Sequence, residues 1–253
     1  MAWLADTNVK GQFRVKVGLT ILMVLLLGLL SFPVWSLPGD YEGTYSGDYS
    51  GDDNGIWIAY VNNSGYMRFI TWSDDHKSVD GGQAFVVDNG EIDLETDDET
   101  DVIGDIDDND FDVEGDWDNP SGDDGDFSGT QQDPGQVDDY ADDYDEEFCG
   151  DADGTWEITV ENTGYVSGHV YPSDGPDVFV EGGINEDGTF ILYTSDDAGI
   201  RGTIQSDGDV TGYWRNEEDA ESGYISNKDT CGPITSELGD GGGGGCFISV
   251  LFD

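Results

Sequence analysis

The chain has 253 residues, of which 57 are acidic and 8 are basic, so its formal net charge is −49. So few Lys and Arg residues exclude nucleic-acid binding, which needs cations to displace phosphate counterions, and they exclude attraction to an anionic membrane surface. Divalent cations, basic proteins and neutral ligands such as glycans are compatible with the charge. Solvation in a salty medium would also account for it, without any specific acidic function.

The first 36 residues have the layout of an export signal. Lys10, Arg14 and Lys16 precede an apolar run from Leu19 to about Ser36, and a basic flank, an apolar core and a small final residue are typical of a secretory signal peptide. The run is also nearly long enough to span a bilayer, so an uncleaved N-terminal anchor is the alternative. We therefore expect an exported protein, extracellular or at the cell surface.

An internal duplication follows the signal. Residues 49–66, YSGDDNGIWIAYVNNSGY, align without gaps with residues 148–165, FCGDADGTWEITVENTGY. The similarity continues from 103–117 to 200–214 with one gap, and from GDFS at 125 to GYIS at 223. The recurring residues are mainly Gly, Trp, Val and Tyr, which are the residues that a fold requires rather than those that a reaction requires.

Both copies have the pattern of short antiparallel strands. In GTWEITV, Trp156, Ile158 and Val160 alternate with polar residues, so one face of the strand is apolar and the other is wet. Tight-turn residues such as Asn-Thr-Gly separate the strands. We predict an all-β fold with two tandem, duplicated antiparallel β-meander domains, each a small barrel or flattened roll. The predicted boundaries are repeat 1 at 37–130, an acidic linker at 131–147, repeat 2 at 148–230 and a Gly-rich tail at 231–253.

The Gly-x-Trp opening of each copy, Gly55 to Trp57 and Gly154 to Trp156, followed by a Gly-rich meander, resembles the first strands of lipocalin-like and avidin-like barrels. That resemblance implies a small antiparallel barrel. The copies are shorter than those barrels, and we expect inward Trp and Ile side chains to fill most of the interior.

Three cysteines are present. Cys149 and Cys231 bracket the second copy, so in an oxidising compartment they are candidates for a disulfide that ties the ends of one domain together; two free thiols are the alternative. Cys246 lies in GGGGGCFISVLFD at the C-terminus. This segment resembles the Gly-run plus Cys-Phe-Ile box at the ends of some bacterial exported proteins, which implies processing or surface anchoring at Cys246. A flexible tail is the alternative.

One acidic segment has partial metal-ligand spacing. In DIDDNDFDVEGD, Asp105, Asp107, Asn109 and Asp116 occupy the first, third, fifth and twelfth positions of a loop that half-matches an EF-hand, whose oxygen ligands bind Ca²⁺. The sixth position is Asp110 instead of Gly, so a plain acidic hairpin competes with a calcium site. No other cofactor is indicated.

The function that this pattern favours is non-catalytic: an exported or cell-surface binding or structural protein. Tyr41, Tyr45 and Tyr49 are candidates for an exposed binding face, since amphipathic rings suit glycan and protein contacts. A calcium-binding acidic surface protein is the first alternative. A small-barrel enzyme is the second, and it would need His76 or His169 beside an acid with a perturbed pKa.

Overall fold

A computed structural model describes residues 38–74, 78–87, 89–194, 198–216 and 221–226. The predicted signal segment, His76, Cys231, Cys246 and the Gly-rich tail lie outside these residues. Among the residues described, no helix is long and apolar enough to cross a membrane.

The first eight strands form one antiparallel sheet in the order β4-β3-β2-β1-β8-β7-β6-β5, which we call the first barrel. The strands are β1 Gly43–Gly51, β2 Gly55–Val61, β3 Tyr66–Ser73, β4 Val79–Phe85, β5 Glu91–Glu95, β6 Asp101–Ile106, β7 Asp112–Asp118 and β8 Asp124–Gln131. Its two outer strands, β4 and β5, meet at an isolated bridge between Gly82 and Thr96. Asp97 N also donates to Gly81 O at 2.8 Å, so the ends of the sheet touch without forming a full ladder.

The second eight strands form a closed antiparallel barrel, the second barrel. They are β9 Asp143–Gly150, β10 Gly154–Val160, β11 Tyr165–Pro172, β12 Val178–Ile184, β13 Thr189–Thr194, β14 Ala198–Ile204, β15 Val210–Asn216 and β16 Glu221–Ser226. β9 closes the barrel because it pairs with both β10 and β16. The predicted all-β fold of two antiparallel meanders is confirmed.

The segment between the barrels is ordered. Helix α1, Pro134–Val137, begins after Asp133, whose side chain accepts a hydrogen bond from Gly135 N, and a 3-10 turn follows at Asp138–Tyr140. Val137 is buried in the core of the second barrel, and β9 begins at Asp143. The second β unit therefore starts at β9, before the predicted boundary at residue 148. Acidic residues stand on both faces of the strand in DYDEEFCG, so its alternation is weak and the sequence indicates no more than an edge strand within the acidic linker.

Each barrel encloses its own core, and a third apolar cluster joins the two. The outer faces of β2, β3 and β4 contribute Ile58, Ile70, Trp72 and Val79, which pack against Ile191 and Tyr193 on the outer face of β13. The Arg68 Nε atom lies 3.5 Å from Glu181 Oε1, and its guanidinium lies 4.9 Å from the centre of the Tyr193 ring. A buried arginine is stabilised here by both a carboxylate and an aromatic face.

Gly199 in β14 is one of the positions at which the two barrels approach closely. A Cβ atom at this position would lie 2.4 Å from the Cβ of Val79, a separation well below van der Waals contact. Arg201, two residues further along β14, forms a 2.7 Å ion pair from Nη1 to Asp74 Oδ1. The interface therefore depends on a glycine at this position for its close packing.

We expect the substitution Gly199→Ala to lower the free energy of unfolding by about 1–3 kcal/mol, because the added methyl group forces the two barrels apart. Gly175→Ala is the matched control, since the nearest atom to its added Cβ is Pro172 Cβ at 3.5 Å, an ordinary contact. Urea denaturation of both variants measures the difference. Equal stabilities for the two variants would contradict this account of the interface.

Candidate functional site

One opening of the first barrel lies at the end where the turns after β1, β3, β5 and β7 meet. It encloses a cavity of about 430 Å³, a volume in the range of small-molecule sites. Four aromatic side chains form its walls: Tyr49, Phe69, Trp117 and Phe127. Five acidic residues line it as well: Asp53, Asp80, Asp98, Glu99 and Asp123. No Lys or Arg occurs among the lining residues that the structure describes.

A hydrogen-bonded group of three side chains holds one side of this mouth. Asp53 Oδ2 accepts from the hydroxyl of Tyr49 at 3.1 Å, and Asp53 Oδ1 accepts from Ser73 Oγ at 3.0 Å. Burial, followed by the charge of Asp53, raises the pKa of the Tyr49 phenol well above its usual range. Tyr49 therefore stays protonated and donates to Asp53, which fixes the carboxylate at the mouth.

Asp80 lies on the neighbouring strand β4, where it pairs with Thr71 of β3, and it is half-buried. Its Oδ2 atom accepts from Thr96 Oγ1, and its Oδ1 atom accepts from Gly81 N at 2.7 Å and Asp98 N at 3.3 Å. Burial is the largest influence on this carboxyl, and it raises the pKa of Asp80 from 3.8 to about 6 despite the hydrogen bonds, which lower it. The charge at this side of the mouth consequently changes near neutral pH.

Trp117 completes the aromatic wall. Its ring centre lies 6.0 Å from that of Tyr49 in an edge-to-face arrangement, and its buried Nε1 has no hydrogen-bond partner among the described atoms. Trp117 ends the repeated segment 103–117, which indicates a requirement of the fold, and no sequence pattern singles out Asp53 or Asp80. The one available sequence signal for this site was an acid, Asp80, at an inward-facing strand position opposite Thr71.

The prediction that Tyr41, Tyr45 and Tyr49 form an exposed binding face is wrong. Their side chains are 1%, 0% and 8% exposed, and the Tyr45 hydroxyl donates to Tyr41 O at 2.9 Å. Tyr45 and Tyr49 are four apart in β1 and share the face that turns into the barrel, whereas Tyr41 ends a 3-10 turn, Pro38–Tyr41, just before the strand. Of the three tyrosines, Tyr49 forms part of the wall of the cavity and is not on the outer surface.

The four candidate calcium ligands lie on the β6–β7 hairpin. Asp107 Oδ1 accepts from the backbone N and the Nδ2 of Asn109 at 2.7 and 2.8 Å, which is a local turn. Asp105 is paired with Glu114, and Asp116 is paired with Ile103, so both stand on exposed strands. Within the described part of the chain, no three acidic, His or Cys side chains are close enough together to hold a metal ion. The structure thus places these residues in a hairpin without an EF-hand loop, and calcium binding stays a prediction.

The other predicted residues have separate positions. Cys149 is disulfide-bonded, and its pairing with Cys231 stays a prediction because Cys231 lies outside the described residues. His169 is exposed on the outer face of β11, where its ring stacks on Tyr171. Asp80, in contrast, lies in the mouth of the first barrel, so the structure does not bring this histidine and this acid together.

The raised pKa of Asp80 predicts a pH dependence of stability. Between about pH 4 and 6 the folded state keeps this proton and the unfolded state loses it, so stability falls as the pH rises through that range. We expect Asp80→Asn, relative to the unchanged protein, to raise the free energy of unfolding at pH 7 by on the order of 1–3 kcal/mol more than at pH 4. Urea unfolding at both pH values measures this difference.

Any loss of an acid relieves repulsion in so acidic a chain, so a control is required. Asp116→Asn removes the same charge from an exposed strand position. A pH-dependent gain for Asp116→Asn as large as that for Asp80→Asn would show that general repulsion, and not burial of Asp80, is responsible.

No family model matches this sequence, and no curated protein matches it. Among solved structures, isotype 1 transferrin binding protein B from serogroup B Neisseria meningitidis is similar at 10% identity and a TM-score of 0.29, covering 69% of this chain and 52% of that one. A mutant of transferrin binding protein B from Haemophilus parasuis Hp5 is similar at 12% identity and a TM-score of 0.25, covering 68% of this chain and 53% of that one. The chain spans about half the length of these structures.

Proposed function

We propose that the protein is a non-catalytic, exported binding protein whose first barrel binds an organic ammonium group in its mouth. The ammonium belongs either to a free small amine or to a Lys side chain of a basic protein. The observation that carries the proposal is the meeting of four aromatic walls and five acidic residues around one cavity of about 430 Å³. Export is supported by the basic and apolar pattern of residues 1–36.

The chemistry of the walls selects the ligand. An aromatic face attracts a cation through its quadrupole, and this attraction grows when the cation loses water on entering a cavity. The carboxylates at the rim add a direct charge interaction, and Asp53 is already held in place by Tyr49 and Ser73. The net charge of −49 attracts cations from solution and repels anions. An ammonium group satisfies both the rings and the acids.

The same contacts support the proposal that the role is non-catalytic. Asp53 and Asp80 are both engaged in hydrogen bonds that hold their oxygens, and the described lining contains no histidine to act as a base towards its serines and threonines. Such a site can bind and orient a ligand. Among its described lining residues there is no Ser–His or Thr–His pair of the kind that acyl transfer uses.

Choline and its neutral carbon isostere, 3,3-dimethyl-1-butanol, provide the direct test, because they have the same shape and differ in charge. We expect calorimetric titration of the full chain at pH 7.5 and low salt to detect saturable binding of choline and not of the alcohol. The peptide Gly-Lys-Gly, compared with its side-chain-acetylated form, tests the second source of the ammonium. Binding of neither choline nor the lysine peptide, or equal binding of the alcohol, would overturn the proposal.

Two variants locate the site. Trp117→Leu is expected to weaken ammonium binding about fivefold to thirtyfold through loss of a cation–π contact. Asp80→Asn is expected to weaken binding at pH 7.5 more than at pH 5, where Asp80 is already protonated. Asp116→Asn, which removes an exposed charge outside the mouth, is the control and should change affinity little.

A further inference from the structure

The second barrel has a cavity at the end that corresponds to the mouth of the first. Its volume is about 320 Å³, again within the range of small-molecule sites. Its walls are mainly apolar, and the largest contributors are Phe148, Trp156, Val170, Ile200, Trp214 and Ile225. The mouths of the two barrels are equivalent by sequence duplication, and they nevertheless offer different surfaces to a ligand.

The difference arises at matching positions. In the gapless alignment of the two copies, Tyr49 corresponds to Phe148 and Asp53 to Ala152. Ser73 corresponds to Pro172, because these residues pair with the equivalent Gly55 and Gly154. The hydrogen-bonded group that holds the first mouth is thereby replaced by three side chains that form no such bonds. The inward pair of Thr71 opposite Asp80 is likewise replaced by Val170 opposite Val178.

Trp156, which belongs to this wall, carries an unsatisfied polar atom. The Trp156 side chain is 1% exposed, and its Nε1 has no hydrogen-bond partner among the described atoms. Its counterpart in the first barrel, Trp57, donates from Nε1 to Ser128 O at 3.2 Å. Trp214, in the same cavity wall as Trp156, donates from Nε1 to Cys149 O at 3.2 Å. A buried N–H group without an acceptor is costly, so a ligand that supplies one gains free energy.

We propose that the mouth of the second barrel binds an uncharged, mostly apolar small molecule that carries a carbonyl oxygen, and that this oxygen accepts a hydrogen bond from Trp156 Nε1. An anionic ligand such as a fatty acid is disfavoured by Asp174 and Glu221 at the rim and by the net charge of the chain. An ammonium ligand meets fewer acids here than in the first mouth, because Ala152 and Val178 replace Asp53 and Asp80 and the described lining keeps only Asp174 and Glu221. This site is independent of the ammonium site in the first barrel.

The bicyclic ketone 1-indanone and the hydrocarbon indane are matched probes, since they share a shape and differ by one carbonyl group. In the ¹H–¹⁵N spectrum of the full chain, 1-indanone is expected to shift the indole N–H signal of Trp156 downfield and to bind about tenfold more tightly than indane. The indole signal of Trp57, which is already bonded to Ser128 O, is the internal control and should not shift. The variant Trp156→Phe removes the donor and should abolish the tenfold preference while indane still binds.

Three results would overturn the proposal. The first is that neither probe binds, and the second is that both bind the unchanged protein equally well. The third is that Trp156→Phe keeps the preference for the ketone. If Trp156→Phe fails to fold, the comparison of the two probes on the unchanged protein decides between the outcomes, because the shift of the Trp156 signal reports on this indole alone.

Discussion

Both barrels depend on aromatic rings that lie over glycines of the next strand or the next but one. A Cβ atom at Gly129 would meet Trp57 Cζ2 at 2.5 Å, and one at Gly223 would meet Trp214 Nε1 at 2.4 Å. An eight-stranded barrel of this size has little interior volume, so a ring can lie flat against the wall only where the wall has no side chain. This requirement explains why Gly and Trp recur in both copies while polar residues diverge.

The sequence predicted this architecture well because its signals are local. Alternation within each strand, turn residues between strands and repetition of the whole unit are all visible along the chain. The face of a strand that turns inward is not always visible, and for this reason Tyr41, Tyr45 and Tyr49 were expected on the surface. Their hydroxyl groups suit water, but the Tyr45 and Tyr49 hydroxyls are satisfied internally by Tyr41 O and by Asp53.

The first candidate site could not be assembled from sequence because its members are distant along the chain and acids are common everywhere. Tyr49 and Trp117 lie on β1 and β7, the two strands that flank β8, and Asp80 lies on β4. Strand register added a further difficulty. VDGGQ at 79–83 resembles VEGGI at 180–184, yet Gly82 pairs with Phe69 whereas Val180 pairs with Gly168. The large residue of the pair is on β3 in the first barrel and on β12 in the second. Residues that match in the sequence alignment of this segment therefore do not occupy equivalent positions in the two barrels.

The packing of one barrel on the other joins faces that are not equivalent, and this has a consequence for assembly. Strands β2 to β4 of the first barrel pack on β12 to β14, which correspond to β4 to β6. A head-to-tail contact of this kind would, if repeated, add barrels without end. Addition of further barrels is blocked on both free faces. On the first barrel, Asp93 and Glu95 occupy the positions that Ile191 and Tyr193 have in the second. On the second barrel, Glu157 and His169 occupy the positions that Ile58 and Ile70 have in the first. The charged and polar side chains on these faces therefore oppose a repeat of the head-to-tail contact beyond the two barrels.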